Sequence, residues 1–172
     1  MQASYVGAMD VLHRLCLVVA GVCLVVITLI IPWGVFTRYV LNYGSSWPEP
    51  LAVLLMIWFS FTAAALCYRD RLHISVQILP MVLQGRARLL VGWLVEIAMA
   101  GMNLFMLVWG VRLVHTTWFQ AISDFPSISV GISYLPVPIG GAIILLFVIE
   151  RLWTGRLFEA PAEDRLVSVG LE

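Results

Sequence analysis

Glu96 is the residue in this sequence whose position most suggests chemistry, because it is a carboxylate inside an apolar run. The run extends from 89 to 111, and no other charged residue interrupts it. An ionised carboxylate well inside lipid costs several kcal/mol, so Glu96 is expected to face protein. It either carries a proton or an ion, or forms a buried polar contact between helices. The second interpretation is favoured, because no other acidic residue or histidine lies in mid-span to form a relay.

The neighbours of Glu96 support this interpretation. Glycine, methionine and polar residues recur at alternating intervals of four and three along the run: Gly92, Glu96, Met99, Asn103, Met106 and Gly110. On a helix this spacing places them on one heptad-like stripe. Such stripes form helix–helix contacts in lipid. The stripe therefore predicts a packed helix surface that includes Glu96 and Asn103.

The other residues with chemical potential are not arranged as an active site. The three histidines lie at or beyond the ends of the apolar runs: His13, His73 and His115. A haem held between helices would need two mid-span histidines, and their absence argues against a quinone-linked cytochrome subunit. The three cysteines lie within apolar runs and are interpreted as small buried residues: Cys16, Cys23 and Cys67. No catalytic or nucleotide-binding motif occurs. We therefore expect no catalytic residue, metal or cofactor, and no enzyme activity.

The composition indicates a chain that is solvated by lipid. The 172 residues are 62% hydrophobic and only 12% charged, whereas soluble domains carry about 25% charged residues. The formal net charge is zero. The sequence therefore implies a lipid bilayer as its surroundings and no nucleic-acid partner.

Four apolar runs are long enough to cross a bilayer as helices. They cover 15–37, 50–68, 89–111 and 132–149, and about 20 residues suffice for a hydrocarbon core of about 30 Å. The sequence thus predicts an all-α integral membrane protein with four transmembrane helices. Residues 1–157 would form the membrane domain, and 158–172 a flexible cytoplasmic tail.

The arginines predict the orientation of these spans. Eight of the ten lie on one side of the predicted membrane, at the N-terminus, between spans two and three, and after span four, whereas Arg38 and Arg112 lie on the other. Arginine is enriched in cytoplasmic flanks. Both termini and the middle loop are therefore expected in the cytoplasm. Within that loop, the pattern of 72–84 predicts a short amphipathic segment in the membrane interface.

The connection between spans one and two carries one cation and one anion at facing helix ends. Arg38 follows span one and Glu49 precedes span two, with Tyr39 and Trp47 beside them. A connection of this length permits an antiparallel helical hairpin, which would bring the two charges together. Aromatic rings suit the membrane–water boundary. The connection is therefore interpreted as a brace at the outward surface.

Span four opens with the sequence GISYLPVPIGG, residues 131–141. A broken helix can line a transporter's substrate site. However, prolines near the outward end more simply begin a helix. Gly140 and Gly141 are expected to allow the close approach of another helix.

Taken together, these motifs resemble the small membrane subunit of tripartite ATP-independent periplasmic (TRAP) transporters, over residues 10 to 156. The resemblance rests on Arg38-Tyr39, on Asn42 with Ser46-Trp47-x-Glu49, on Tyr68-Arg69 with 73–76, and on 135–140. One departure is Pro50, where the family often has a second acidic residue. Glu49 is then the only acid there, which argues against a role for a paired carboxylate.

The resemblance implies a non-catalytic subunit of a secondary transporter in the bacterial inner membrane. In this family a periplasmic solute-binding protein captures the solute, typically an organic acid. A large permease subunit carries the solute and sodium sites. The small subunit supports the large one, and the candidate partner-interface and structural residues are Arg38, Tyr39, Asn42, Trp47, Glu49, Glu96, Asn103, Gly140 and Gly141.

Two alternatives stay open at the level of sequence. An autonomous four-helix exporter would use Glu96 as its proton carrier and would move substrate when purified alone. For a scaffold subunit of another membrane complex, the neighbouring genes would not encode a binding protein and a large permease.

Overall fold

A computed structural model describes residues 2–44, 46–70, 86–122 and 125–154. Along the chain these residues form helix α1 (Gln2–Tyr39), helix α2 (Pro48–Arg69), helix α3 (Arg86–Thr117), strand β1 (Ala121–Ile122), strand β2 (Phe125–Ser129), helix α4 (Val130–Tyr134) and helix α5 (Pro136–Thr154). The predicted interfacial segment 72–84 and the predicted tail 158–172 lie outside the described residues.

Among the described residues, four helical spans are long and apolar enough to cross a membrane, which confirms the predicted fold class. They cover Tyr5–Tyr39, Pro48–Arg69, Leu90–Thr117 and Val130–Thr154, the last combining α4 and α5. Each is longer than the predicted apolar run, because the helices continue into their polar flanks. At 38 residues, α1 is about 57 Å long and exceeds the thickness of the hydrocarbon core.

The helices pack in the order α1, α2, α5, α3, so chain neighbours are not always spatial neighbours. α1 packs mainly on α2, and α3 packs mainly on α5, which lies between α2 and α3. Two adjacent glycines of α5 allow close contact with its two neighbours, α2 on one side and α3 on the other. A Cβ on Gly140 would lie 3.1 Å from Cβ of Phe61 on α2, and one on Gly141 would lie 3.0 Å from the carbonyl oxygen of Asn103 on α3.

The main hydrophobic core lies at one end of the helices, near Arg69. It consists of buried residues from three helices: Met9, Ala65, Tyr68, Ile144, Phe147 and Val148. We call this end the Arg69 end and the opposite end the Glu49 end. Along α1, the buried Cys16 and Cys23 lie seven residues apart, as expected for small residues on one helix face.

A short β-hairpin between α3 and α4 was not anticipated from the sequence. β1 and β2 pair antiparallel, with Ala121 opposite Ser129. Ser129 also caps α4, because its Oγ accepts a hydrogen bond from the Gly131 amide at 3.0 Å. A two-residue strand is too short to show the alternating pattern by which strands are recognised.

Candidate functional site

Glu96 lies at the Arg69 end, where α2, α3 and α5 meet. Its side chain is almost completely buried, with the residue 3% exposed. Arg151 Nη1 on α5 lies 2.9 Å from Glu96 Oε1. The Tyr68 hydroxyl on α2 donates a hydrogen bond to Glu96 Oε2 at 2.5 Å. The carboxylate is therefore neutralised and hydrogen-bonded within the chain.

Arg69, the last residue of α2, forms a second group of ion pairs beside the first. Its Nε and Nη2 donate to the two carboxylate oxygens of Glu150 on α5, at 3.1 and 2.9 Å. This two-point geometry is the strongest that an arginine and a carboxylate adopt. Nη2 also lies 2.7 Å from Asp10 Oδ1 on α1. Arg69 thus links three helices.

A third contact joins α1 to the residue that follows α2. His13 Nε2 lies 3.0 Å from Asp70 Oδ1. Two cation–π contacts add to the same region, because the Arg69 guanidinium lies 5.2 Å from the Phe147 ring and that of Arg151 lies 5.5 Å from the Tyr68 ring. We call this set the inner network; its members are Asp10, His13, Tyr68, Arg69, Asp70, Glu96, Glu150 and Arg151.

The inner network holds four acidic side chains, two arginines and one histidine, and each acid lies within ion-pairing distance of an arginine or of the histidine. Within the described ranges, no group of three or more His, Cys, Asp or Glu side chains could hold a metal ion. Glu96 contacts the Arg151 cation and the Tyr68 hydroxyl donor within the chain. The network therefore links α1, α2, α3 and α5 to one another at the Arg69 end.

At the Glu49 end, the structure brings Arg38 and Glu49 together. Arg38 Nη2 lies 2.8 Å from Glu49 Oε1, and the side chains are 49% and 71% exposed. Asn42 ends the preceding turn in the left-handed region, with φ of 51°, which Asn tolerates better than most residues. The chain reverses there, and the Tyr43 amide donates to the Thr37 carbonyl at 3.0 Å.

Of the two aromatic residues beside this pair, the chain itself leaves Tyr39 largely uncovered and covers more than half of Trp47. Tyr39 is 74% exposed and Trp47 is 39% exposed. Trp47 occupies the N-cap position of α2 without a capping side-chain hydrogen bond, and Pro48 begins the helix. Neither ring takes part in the inner network, which lies at the opposite end of α2.

The stripe predicted on span three packs on α5. Asn103 is 3% exposed, and its Nδ2 donates to the Met99 carbonyl at 2.8 Å. Farther along α3, a Cβ on Gly110 would lie 2.9 Å from Pro138 Cδ. Glu96, Asn103 and both glycines of α5 are thus used in contacts within this chain.

Comparison with known proteins identifies the family. Residues 27–157 match the model of the DctQ component of tripartite ATP-independent periplasmic transporters. The chain belongs to this family. It is a component of TRAP transporters and not an enzyme.

Two curated relatives agree with this assignment. A Haemophilus influenzae protein assigned as a TRAP transporter small permease is 24% identical over 135 residues, covering 75% of this chain and 80% of the relative. The sialic acid TRAP transporter small permease protein SiaQ of Vibrio cholerae is 26% identical over 128 residues, covering 72% and 71% of the two chains.

Sequence reasoning on this DctQ-family chain found Glu96 but missed its partners. Arg151 was counted only as a cytoplasmic flanking charge, Arg69 was counted as a flanking charge and as part of a family motif, and Asp10, Asp70 and Glu150 were not considered. A signal was present, because Asp70 and Glu150 stand directly beside Arg69 and Arg151 at the ends of two spans. Acids next to arginines at span ends on one side of the membrane could have indicated interhelical pairing.

Proposed function

We propose that this chain is the small membrane subunit of a TRAP transporter, which supports a large permease subunit in sodium-coupled uptake of an organic acid. Uptake would depend on a periplasmic solute-binding protein. The chain would lie in the bacterial inner membrane, with both termini in the cytoplasm. Family membership supports the role as a transporter subunit, and the name of the Vibrio relative supports an organic acid as the class of solute.

The observation that carries the proposal is the state of Glu96. A carboxylate that carries protons or ions must exchange them with water, but Glu96 is 3% exposed and is paired with Arg151 at 2.9 Å. This arrangement disfavours the autonomous exporter. A supporting subunit, in contrast, needs only a rigid set of helices.

The surface of the chain is also consistent with a supporting role. Large apolar side chains are exposed along the outer sides of α1 and α3, such as Val25, Leu29, Ile97 and Phe105. Lipid or another membrane subunit can cover such surfaces. At the Glu49 end, we propose that Tyr39, Trp47 and the Arg38–Glu49 pair contribute contacts to the large subunit or to the binding protein.

The test is reconstitution with and without the other two components. The chain, the large permease encoded with it and the binding protein are purified, and the two membrane proteins are placed in liposomes with an inward sodium gradient. Sialic acid is the first labelled solute, followed by a panel of organic acids bound by the binding protein. We expect uptake only with all three proteins and the sodium gradient.

Two controls separate this proposal from the alternatives. Liposomes with the chain alone and a proton gradient should show no transport, and uptake by them would favour the exporter. A large permease that transports fully without this chain, or that fails to co-purify with it, would contradict the supporting role.

A further inference from the structure

Two consecutive residues of α5 hold opposite charges and contact different helices. Glu150 binds Arg69 of α2 through two hydrogen bonds, whereas Arg151 pairs with Glu96 of α3. The acid of α5 thus faces a base on one side, and its base faces an acid on the other. The side chains are 11% and 17% exposed in the first pair, and 18% and 4% in the second.

This arrangement distinguishes α2 from α3 as neighbours of α5. If the two helices exchanged sides, Arg69 would meet Arg151 and Glu96 would meet Glu150. Both contacts would then place like charges together in poorly solvated surroundings, where repulsion is strong. The native order is the one in which both contacts are attractive.

The adjacent glycines of α5 do not by themselves distinguish its two neighbours. Gly140 and Gly141 present a glycine to each side, and apolar helix surfaces in lipid lack the hydrophobic driving force that acts in water. We propose that the charges of the inner network specify the order α1–α2–α5–α3 when the inserted helices assemble. This inference is independent of the transporter role.

α1 extends the same pattern. Its Asp10 supplies a second acid to Arg69 at 2.7 Å, and its His13 contacts Asp70. From α1 through α2 to α5, the acid Asp10, the base Arg69 and the acid Glu150 therefore alternate. From α5 to α3, the base Arg151 faces the acid Glu96. Buried ion pairs often add little net stability compared with apolar replacements, but removing one partner is costly. A role in selecting neighbours accounts for charges that stability alone does not require.

The test is an exchange of the two charges on α5, Glu150→Arg with Arg151→Glu, which keeps composition and net charge constant. The order of helices is read by disulfide formation in the full chain in cell membranes, with Cys16, Cys23 and Cys67 replaced by Ser. Phe61→Cys with Gly140→Cys reports the native order, since the two Cβ atoms would be 3.1 Å apart, close to disulfide geometry. Met106→Cys with Gly140→Cys reports the exchanged order, in which α3 would pack on the face of α5 that α2 occupies in the native order.

We expect the exchange to abolish most of the native cross-link that the unexchanged parent forms. Adding Asp10→Arg, Arg69→Glu and Glu96→Arg restores opposite charges at every contact, and we expect the native cross-link to return. A native cross-link that survives the exchange, or one that does not return in the compensated variant, would overturn the proposal.

A neutral variant separates selection from simple stability. Arg69→Met, Glu96→Gln, Glu150→Gln and Arg151→Met remove all four charges and leave no buried ion without a partner. We expect this variant to give both the native and the exchanged cross-link. The native cross-link alone would mean that packing fixes the order without the charges.

Discussion

Glu49 and Glu96, the two carboxylates that the sequence analysis singled out, differ in burial more than in the distance to their arginine partners. Glu49 lies 2.8 Å from Arg38 and Glu96 lies 2.9 Å from Arg151. However, the Glu49 side chain is 71% exposed and that of Glu96 is 4% exposed. An exposed pair gains little because water screens it, whereas a buried charge depends on its partner. Distance alone would rank the pairs equally, and burial separates them.

The first prediction follows at the residue scale. Glu96→Gln should destabilise the chain by about 3 kcal/mol, because the Arg151 cation is left buried without its counter-charge. Glu49→Gln is the matched control and should cost about 0–1 kcal/mol. The free energy of unfolding is measured in detergent, with unfolding induced by heat or by denaturant.

The double variant Glu96→Gln with Arg151→Met identifies the cause. It should recover most of the lost stability, since neither charge is then left alone. If the single and double variants were equally unstable, the loss would arise from the Tyr68 hydrogen bond or from packing and not from the unpaired cation.

At the scale of the elements, glycines have different surroundings on the two faces of α3. A Cβ on Gly110 would lie 2.9 Å from Pro138 Cδ and 3.0 Å from the Pro138 nitrogen, whereas one on Gly101 would meet nothing within 4 Å. Gly110 therefore allows α3 to approach the first turn of α5 closely. Gly101 lies on the exposed face of the same helix.

The second prediction compares alanine at these two positions. Gly110→Ala should destabilise the chain by about 1–3 kcal/mol, as expected for overpacking against a rigid proline ring. Gly101→Ala should be neutral or stabilising by up to about 1 kcal/mol, because alanine favours the helix. Thermal unfolding of both variants tests this. An equal effect at both sites would contradict the close packing of α3 and α5.

The same helices show which contacts could be predicted from the sequence and why the others could not. The stripe through Glu96, Asn103 and Gly110 was predicted to be a packed surface because periodicity is a local property of the chain. Its partner α5 could not be read from periodicity, since two adjacent glycines fit either side of a helix equally well. The pairing of Glu96 with Arg151 connects residues that are distant in sequence. The acids beside Arg69 and Arg151 at the span ends indicate that helices pair there, but not which residues meet.

At the scale of the whole molecule, the inner network and the main core lie at the same end. The buried cluster around Phe147 adjoins Arg69 and Arg151, and the Glu49 end is held by an exposed pair and by contacts such as Gly34 with Pro48. Charges at one end fix the helices relative to one another, and apolar outer faces remain for lipid or a partner. This division is consistent with the proposed supporting role.

The third prediction concerns how this molecule is placed in the membrane. Gly44 and Gln120 lie at the Glu49 end, and arginine is scarce there: Arg38 and Arg112 are its only arginines in the sequence. The positive-inside rule then places the Glu49 end in the periplasm.

In a background with Ser at Cys16, Cys23 and Cys67, we expect Gly44→Cys and Gln120→Cys to react in intact cells with a membrane-impermeant maleimide, and Ala160→Cys to react only after lysis. Labelling of the denatured protein controls for expression and thiol state. The opposite result would be reaction of Ala160→Cys in intact cells together with protection of Gly44→Cys and Gln120→Cys. It would mean that the topology is inverted, with the inner network at the periplasmic side, and would contradict the proposed orientation toward the binding protein.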